Sequence, residues 1–73
     1  MSTIDMEQTG RKIEYLRNKN GYSVRDLQKA MDPISIQAIY KWERGLSVPS
    51  IDNLILLSDI FHIPIDQIVM RDA

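Results

Sequence analysis

The sequence contains no cysteine and a single histidine, His62. Without thiols there can be no disulfide and no thiolate metal site, and one imidazole leaves a zinc ion without a second histidine. The fold must therefore rest on a core drawn from the 44% of residues that are apolar. A chain of 73 residues buries only about 60 to 65% of its unfolded surface, so that core has to be economical. The length corresponds to one domain, residues 1–73, and the lack of thiols fits a reducing compartment. Long hydrophobic runs are missing too. The longest fully apolar stretch, Leu54 to Leu57, is far short of the roughly 20 residues that cross a bilayer. The acidic start, Asp5 and Glu7, is unlike the cationic head of a signal peptide. A soluble, cytoplasmic chain with no membrane partner is expected.

Catalytic equipment is equally sparse. His62 lies inside IFHIP, where a partly buried residue at a helix end is a better reading than a general base. No glycine-rich loop offers a phosphate cradle, and the carboxylates are scattered singly. No catalytic residue, metal site, cofactor or small-molecule substrate is expected, and the chain is not expected to be an enzyme.

Acidic and basic residues nearly cancel, leaving a formal net charge of −1. A near-neutral total argues at first against a nucleic-acid partner, but the distribution argues for one. Residues 11–44 hold Arg11, Lys12, Arg17, Lys19, Arg25, Lys29, Lys41 and Arg44 against Glu14, Asp26, Asp32 and Glu43, an excess of +4. Residues 1–10 are net −2 and residues 45–73 net −3. One chain thus combines a basic region with an acidic end, although a solvated surface with chance clustering would give the same totals.

No repeat, low-complexity segment or long linker interrupts the chain, and the punctuation divides it into short helices. Asp5 is an N-cap for a helix from about Met6 to Lys19, with Met6, Gly10, Ile13 and Leu16 on one side and Asn20-Gly21 as its stop. Ser23 caps a second helix with Asp26 at the third position beyond it. Its apolar residues are Val24, Leu27, Ala30 and Met31, and Pro33 disfavours helical geometry at Asp32. Ser35 starts a third helix that Gly45 ends. Ser50 caps a fourth, Ile51 to about Phe61, with Leu54, Ile55, Leu57 and Phe61 available to a core. Pro64 opens a fifth, Ile65 to about Met70. IHIPI comes closest to a strand pattern, and its proline demotes it. The expectation is an all-α domain of five helices.

The third helix carries the chemistry. At about 100° per residue, Ile39 and Trp42 share one side, while Gln37, Lys41 and Arg44 share the other with Tyr40 beside them. An amide can bond a base edge bidentately, an amine can reach guanine or phosphate, and a guanidinium and a phenol can hold the backbone. A solvated helix face would show the same stripe. The second and third helices, however, are separated only by Asp32, Pro33 and Ile34 before the Ser35 cap, the joint of a helix-turn-helix whose second member enters the major groove.

The segments TGRKIEYLRNKNGYSVRDLQKAM and SIQAIYKWERGLSVPSIDNLILLSDIFHIPIDQI resemble the helix-turn-helix domain of the phage repressor and Cro-like transcriptional regulators. The resemblance covers about residues 9–70. Its most specific parts are IYKWERG, the following P-S-x-x-N-L and the closing F-x-I-P-I-D-Q-I. It implies base-reading positions at Ile36, Gln37 and Lys41, with Tyr40 adjacent. Arg44 and Leu46 to Ser47 match the place where the family holds the DNA backbone; Ser35, as cap, and Arg25 complete the backbone set. Ile39, Trp42 and Leu27 match its core. As a first-turn isoleucine, Ile36 could instead be buried.

Three departures stand out. Val24 occupies a place where the family often has a DNA-touching Gln, Gln28 replaces a small alanine, and Asp32-Pro33 lengthens a turn that usually contains glycine. The resulting expectation is a sequence-specific double-stranded DNA-binding regulator, a repressor acting by occlusion, with residues 35–44 in the major groove. A two-fold homodimer could use the fourth and fifth helices. The alternative is a protein-interaction module of the same fold, such as an antitoxin or adaptor, favoured by the acidic carboxy-terminal third.

Overall fold

A computed structural model describes residues 3–72; the outermost residues of the expected 1–73 domain lie outside it. Four α-helices follow one another: α1 (Met6–Lys19), α2 (Val24–Ala30), α3 (Ile36–Glu43) and α4 (Ile51–Phe61). Each begins at the residue whose side chain can answer its free N–H groups. The Asp5 carboxylate accepts from the Gln8 N–H at 2.9 Å, and the hydroxyls of Ser35 and Ser50 accept from Ala38 at 3.1 Å and Asn53 at 3.2 Å. Ser23 and Asp26 form a reciprocal capping box at 3.0 Å in each direction.

The ends are equally local. Gly21 and Gly45 adopt positive φ. Behind them Tyr22 N–H returns to the Arg17 carbonyl and Leu46 N–H to the Lys41 carbonyl, both at 2.9 Å, the Schellman closure that such a glycine permits. Helix α4 ends differently, with His62 itself in the left-handed region at φ 58°. His62 is exposed rather than partly buried, because a residue turning the chain at that point directs its side chain away from the core.

The fifth helix is a correction. Instead of a helix from Ile65 to about Met70, the chain makes one 3-10 turn, Ile65–Gln67. Beyond Ile68 the backbone is claimed by the other end of the molecule. The Met70 carbonyl accepts from Asp5 N–H at 2.8 Å, Met70 N–H donates to Thr9 Oγ1 at 2.9 Å, and Ile4 and Arg71 form an antiparallel bridge. These long-range bonds replace the helical ones that local propensity would favour.

The core joins all four helices and the final turn: Ile13, Leu16, Leu27, Met31, Ile39, Trp42, Leu54, Leu57, Phe61 and Ile68 are buried. Val24 packs against this core half-buried, and three expected core residues are exposed. Ala30 is exposed, Met6 is 43% exposed and Ile55 46%. The buried line of α1 starts one turn later, at Thr9 and Gly10, and that of α4 runs Leu54, Leu57, Phe61, leaving Ile55 about 100° away from Leu54. Gly10 matters most for the architecture. A Cβ there would stand 2.1 Å from the Trp42 carbonyl oxygen and 3.0 Å from that of Glu43, so α1 and the end of α3 meet backbone to backbone.

Candidate nucleic-acid interface

Helix α3 is anchored on one side and free on the other. Ile39 is fully buried and Trp42 is 4% exposed, and these two residues fix which way the remaining side chains face. Gln37, Tyr40, Lys41 and Arg44 are all exposed and form the outer row. The Arg44 guanidinium lies 5.8 Å above the centre of the Tyr40 ring, within range of a cation–π attraction. The two side chains are thus held as a stacked pair rather than as independent arms.

The other expected residues surround this row. Ser35 is exposed at the start of α3, its oxygen already accepting the Ala38 N–H. Ile36 is half-buried, neither a full core residue nor a free one. Leu46 (65% exposed) and the half-buried Ser47 follow the helix end. Arg25 is exposed in the first turn of α2, and no hydrogen bond or ion pair among the described residues joins it to the α3 row.

Two supports of the row are not visible in the residue pattern. Arg17 grips Glu43 with both arms, Nε to Oε2 at 2.7 Å and Nη2 to Oε1 at 3.2 Å, with the side chains only 11% and 7% exposed. It also donates to the Tyr22 carbonyl at 3.0 Å, tying together α1, the turn before α2 and the end of α3. The bond to Glu43 raises the Arg17 pKa above its ordinary value, against the opposite effect of burial, so the guanidinium keeps its charge. Arg17 is therefore structural and is not part of a DNA-facing basic surface. The available signal was position: Arg17 and Glu43 each follow a core residue, Leu16 and Trp42.

Gln28 is the second support. Its Nε2 donates to the Ile34 carbonyl at 3.1 Å, reaching across the Met31-to-Ile34 turn, which contains a cis Asp32-Pro33 bond. The amide that stands where the resemblance leads one to expect alanine thus braces the longer turn from α2. The remaining basic residues outside α3 are surface groups. Arg11 pairs with Glu7 at 2.8 Å in a solvent-exposed i, i+4 bridge, and Lys12 and Lys19 each lie 5.8 Å from the Tyr15 ring centre. No cluster of His, Asp or Glu with the arrangement of a metal site occurs among the described residues, and no described helix is long and apolar enough to cross a membrane.

The molecule is similar in shape to known DNA-binding domains. The crystal structure of the DNA-binding domain of BldD matches with a TM-score of 0.76 and 21% identity, over 90% of this chain and 94% of that one. The S. venezulae BldD DNA-binding domain gives the same score and identity over 90% and 97%. At this identity the likeness is one of fold. No curated protein matches. The helix-turn-helix family matches residues 13–68, from the first core residue of α1 to the last buried isoleucine. Spanning most of the sequence and every helix of the motif, that match places the chain in the helix-turn-helix family, of the phage repressor and Cro-like type.

Proposed function

We propose that the protein is a sequence-specific DNA-binding transcriptional regulator that works in the cytoplasm as a repressor, occluding a promoter without chemistry of its own. One observation carries the reading: the residues that α3 leaves exposed are an amide, an amine, a phenol and a guanidinium in one row, while Ile39 and Trp42 are turned inward. In a major-groove pose Gln37 bonds a base edge, Lys41 reaches guanine or phosphate, and Tyr40 and Ile36 contact neighbouring bases, Ile36 through a thymine methyl. Arg44, Ser35, Ser47 and Arg25 hold the phosphate backbone. The similar structures are DNA-binding domains by name, which supports the same use of the fold here. Two copies would read a palindrome with half-sites about 34 to 36 Å apart.

Binding to duplex DNA at several salt concentrations tests this. Each phosphate neutralised should contribute about −0.9 to the slope of log K on log salt, and Arg44→Ala should weaken all sequences alike. A folded protein with no duplex binding at low salt would instead support the protein-interaction reading, for which the acidic residues Asp52, Asp59, Asp66 and Asp72 are the favouring observation.

A further inference from the structure

Helix α4 turns Leu54, Leu57 and Phe61 into the core, yet its outer side is not the polar surface that a helix of this kind normally shows. Ile51 is 71% exposed, Ile55 46% and Leu56 37%. Asp52, Ile55, Leu56 and Asp59, all exposed, follow i, i+3, i+4, i+7, which puts them on one helix face. Ile51 extends that face into an open groove of about 480 Å³, lined also by Ile4, Leu54, Ile65 and Val69 and by the charged Asp66 and Arg71. Helix propensity and solubility both favour Lys, Glu or Ala over Ile at exposed helical positions, so folding alone does not call for these side chains. A contiguous apolar face rimmed by charge marks an interaction surface.

The rim is uncommitted and mostly of one sign. Among the described residues Asp52, Asp59 and Asp66 take part in no ion pair, the bridges being Arg11 to Glu7 and Arg17 to Glu43. Residues 45–73 hold Arg71 as their only Lys or Arg against four aspartates.

We propose that this face docks an amphipathic helix of a different protein, one whose apolar stripe is bordered by lysine or arginine. The stripe lies along Ile51, Ile55, Leu56 and the groove, the mode in which an amphipathic helix fills an apolar channel. Its cationic border meets Asp52, Asp59 and Asp66. The sign of these charges repels nucleic acid, and a second copy laid on the same face would bring its own aspartates, with Arg71 alone to answer them. None of Gln37, Tyr40, Lys41 and Arg44 lines the groove or belongs to α4, so one molecule can hold DNA and the docked helix together. The inference thus goes beyond the DNA-binding reading. The protein partner is a second ligand carried to the same operator, not an alternative use of the fold.

The test uses the full chain, isotope-labelled for NMR and without DNA, and a synthetic probe peptide about five helical turns long with leucine on one face and lysine elsewhere. This peptide should bind at least about tenfold tighter than one of the same composition with the leucine register broken, and than one with glutamate in place of lysine. Amide shifts should centre on residues 51–60, Ile4 and 65–71, with the α3 row unmoved. Asp52→Lys with Asp59→Lys should weaken the lysine peptide about tenfold and turn the preference toward the glutamate peptide. Ile55→Ser, a change at an exposed position, should weaken both peptides; circular dichroism verifies that each variant is folded. No binding, equal affinity for the register-broken peptide, shifts centred elsewhere, or an unchanged preference in the charge-reversed variant would overturn the proposal. Concentration-dependent shifts of the same residues in the protein alone would overturn it in favour of a second copy. Failure to bind DNA in a separate assay would overturn the DNA-binding reading and leave the docking face standing.

Discussion

The two sides of α3 behave as different materials. The inner side is dry and closely fitted: Ile39 and Trp42 are buried, the Gly10 backbone touches the Trp42 and Glu43 carbonyls, and Arg17 holds Glu43 from both arms. The outer side presents the exposed Gln37, Tyr40, Lys41 and Arg44, with Arg44 stacked on Tyr40 of the same helix. Stability should therefore be concentrated on one side and recognition on the other. A reader of DNA benefits from this division, since side chains that bond bases must be positioned within a fraction of an ångström by residues that never touch them.

The largest effect should come from emptying the inner side. Trp42→Ala removes a buried aromatic ring and should cost about 3 to 5 kcal/mol, enough to leave a small domain largely unfolded near body temperature; an unchanged thermal melt would show that the two sides are not distinct. Gly10→Ala adds one methyl where no room exists. With backbone oxygen at 2.1 Å the helices must separate, at a cost near the upper end of overpacking, about 3 kcal/mol, measurable by urea denaturation.

Glu43→Ala leaves Arg17 without its carboxylate and should cost about 1.5 to 3 kcal/mol. An apolar pair, Arg17→Met with Glu43→Leu, should recover part of this loss, because the uncompensated charge rather than the missing attraction dominates it. Urea midpoints of the single and double variants provide the comparison.

On the outer side, Gln37→Ala should leave stability within about 0.5 kcal/mol yet remove about 1 to 3 kcal/mol of discrimination at one base pair per half-site. A binding profile over all single-base variants of a selected site reads this. Uniform weakening would move Gln37 to the backbone-contact set, and an identical profile would remove it from the interface.

The smallest effect concerns the α2 cap. Hydrogen bonds from the Ser23 backbone and hydroxyl lower the Asp26 pKa below its ordinary 3.8. Its folded value lies below its unfolded one, so its contribution is complete above about pH 4 and is lost as pH falls through the lowered folded value. Asp26→Asn should therefore flatten the acid limb of a stability-against-pH curve and leave the neutral region with only the difference due to the altered cap.

Local chemistry along the sequence determined the four N-caps, the two glycine closures, the inward pair Ile39 and Trp42, and the exposed row Gln37, Tyr40, Lys41 and Arg44. Each depends on residues within about one helical turn, where hydrogen-bond reach and the 100° repeat settle the outcome. Only the tertiary structure decided the rest. Whether the chain after Ile68 continued as helix depended on Asp5 and Thr9, more than sixty positions away. Whether Arg17 belonged to the surface depended on Glu43, and whether Ile55 or Leu54 faced the core depended on where α4 was laid down. Those outcomes turn on which backbone groups and charges meet across the fold, and spacing along one helix carries no information about a partner on another.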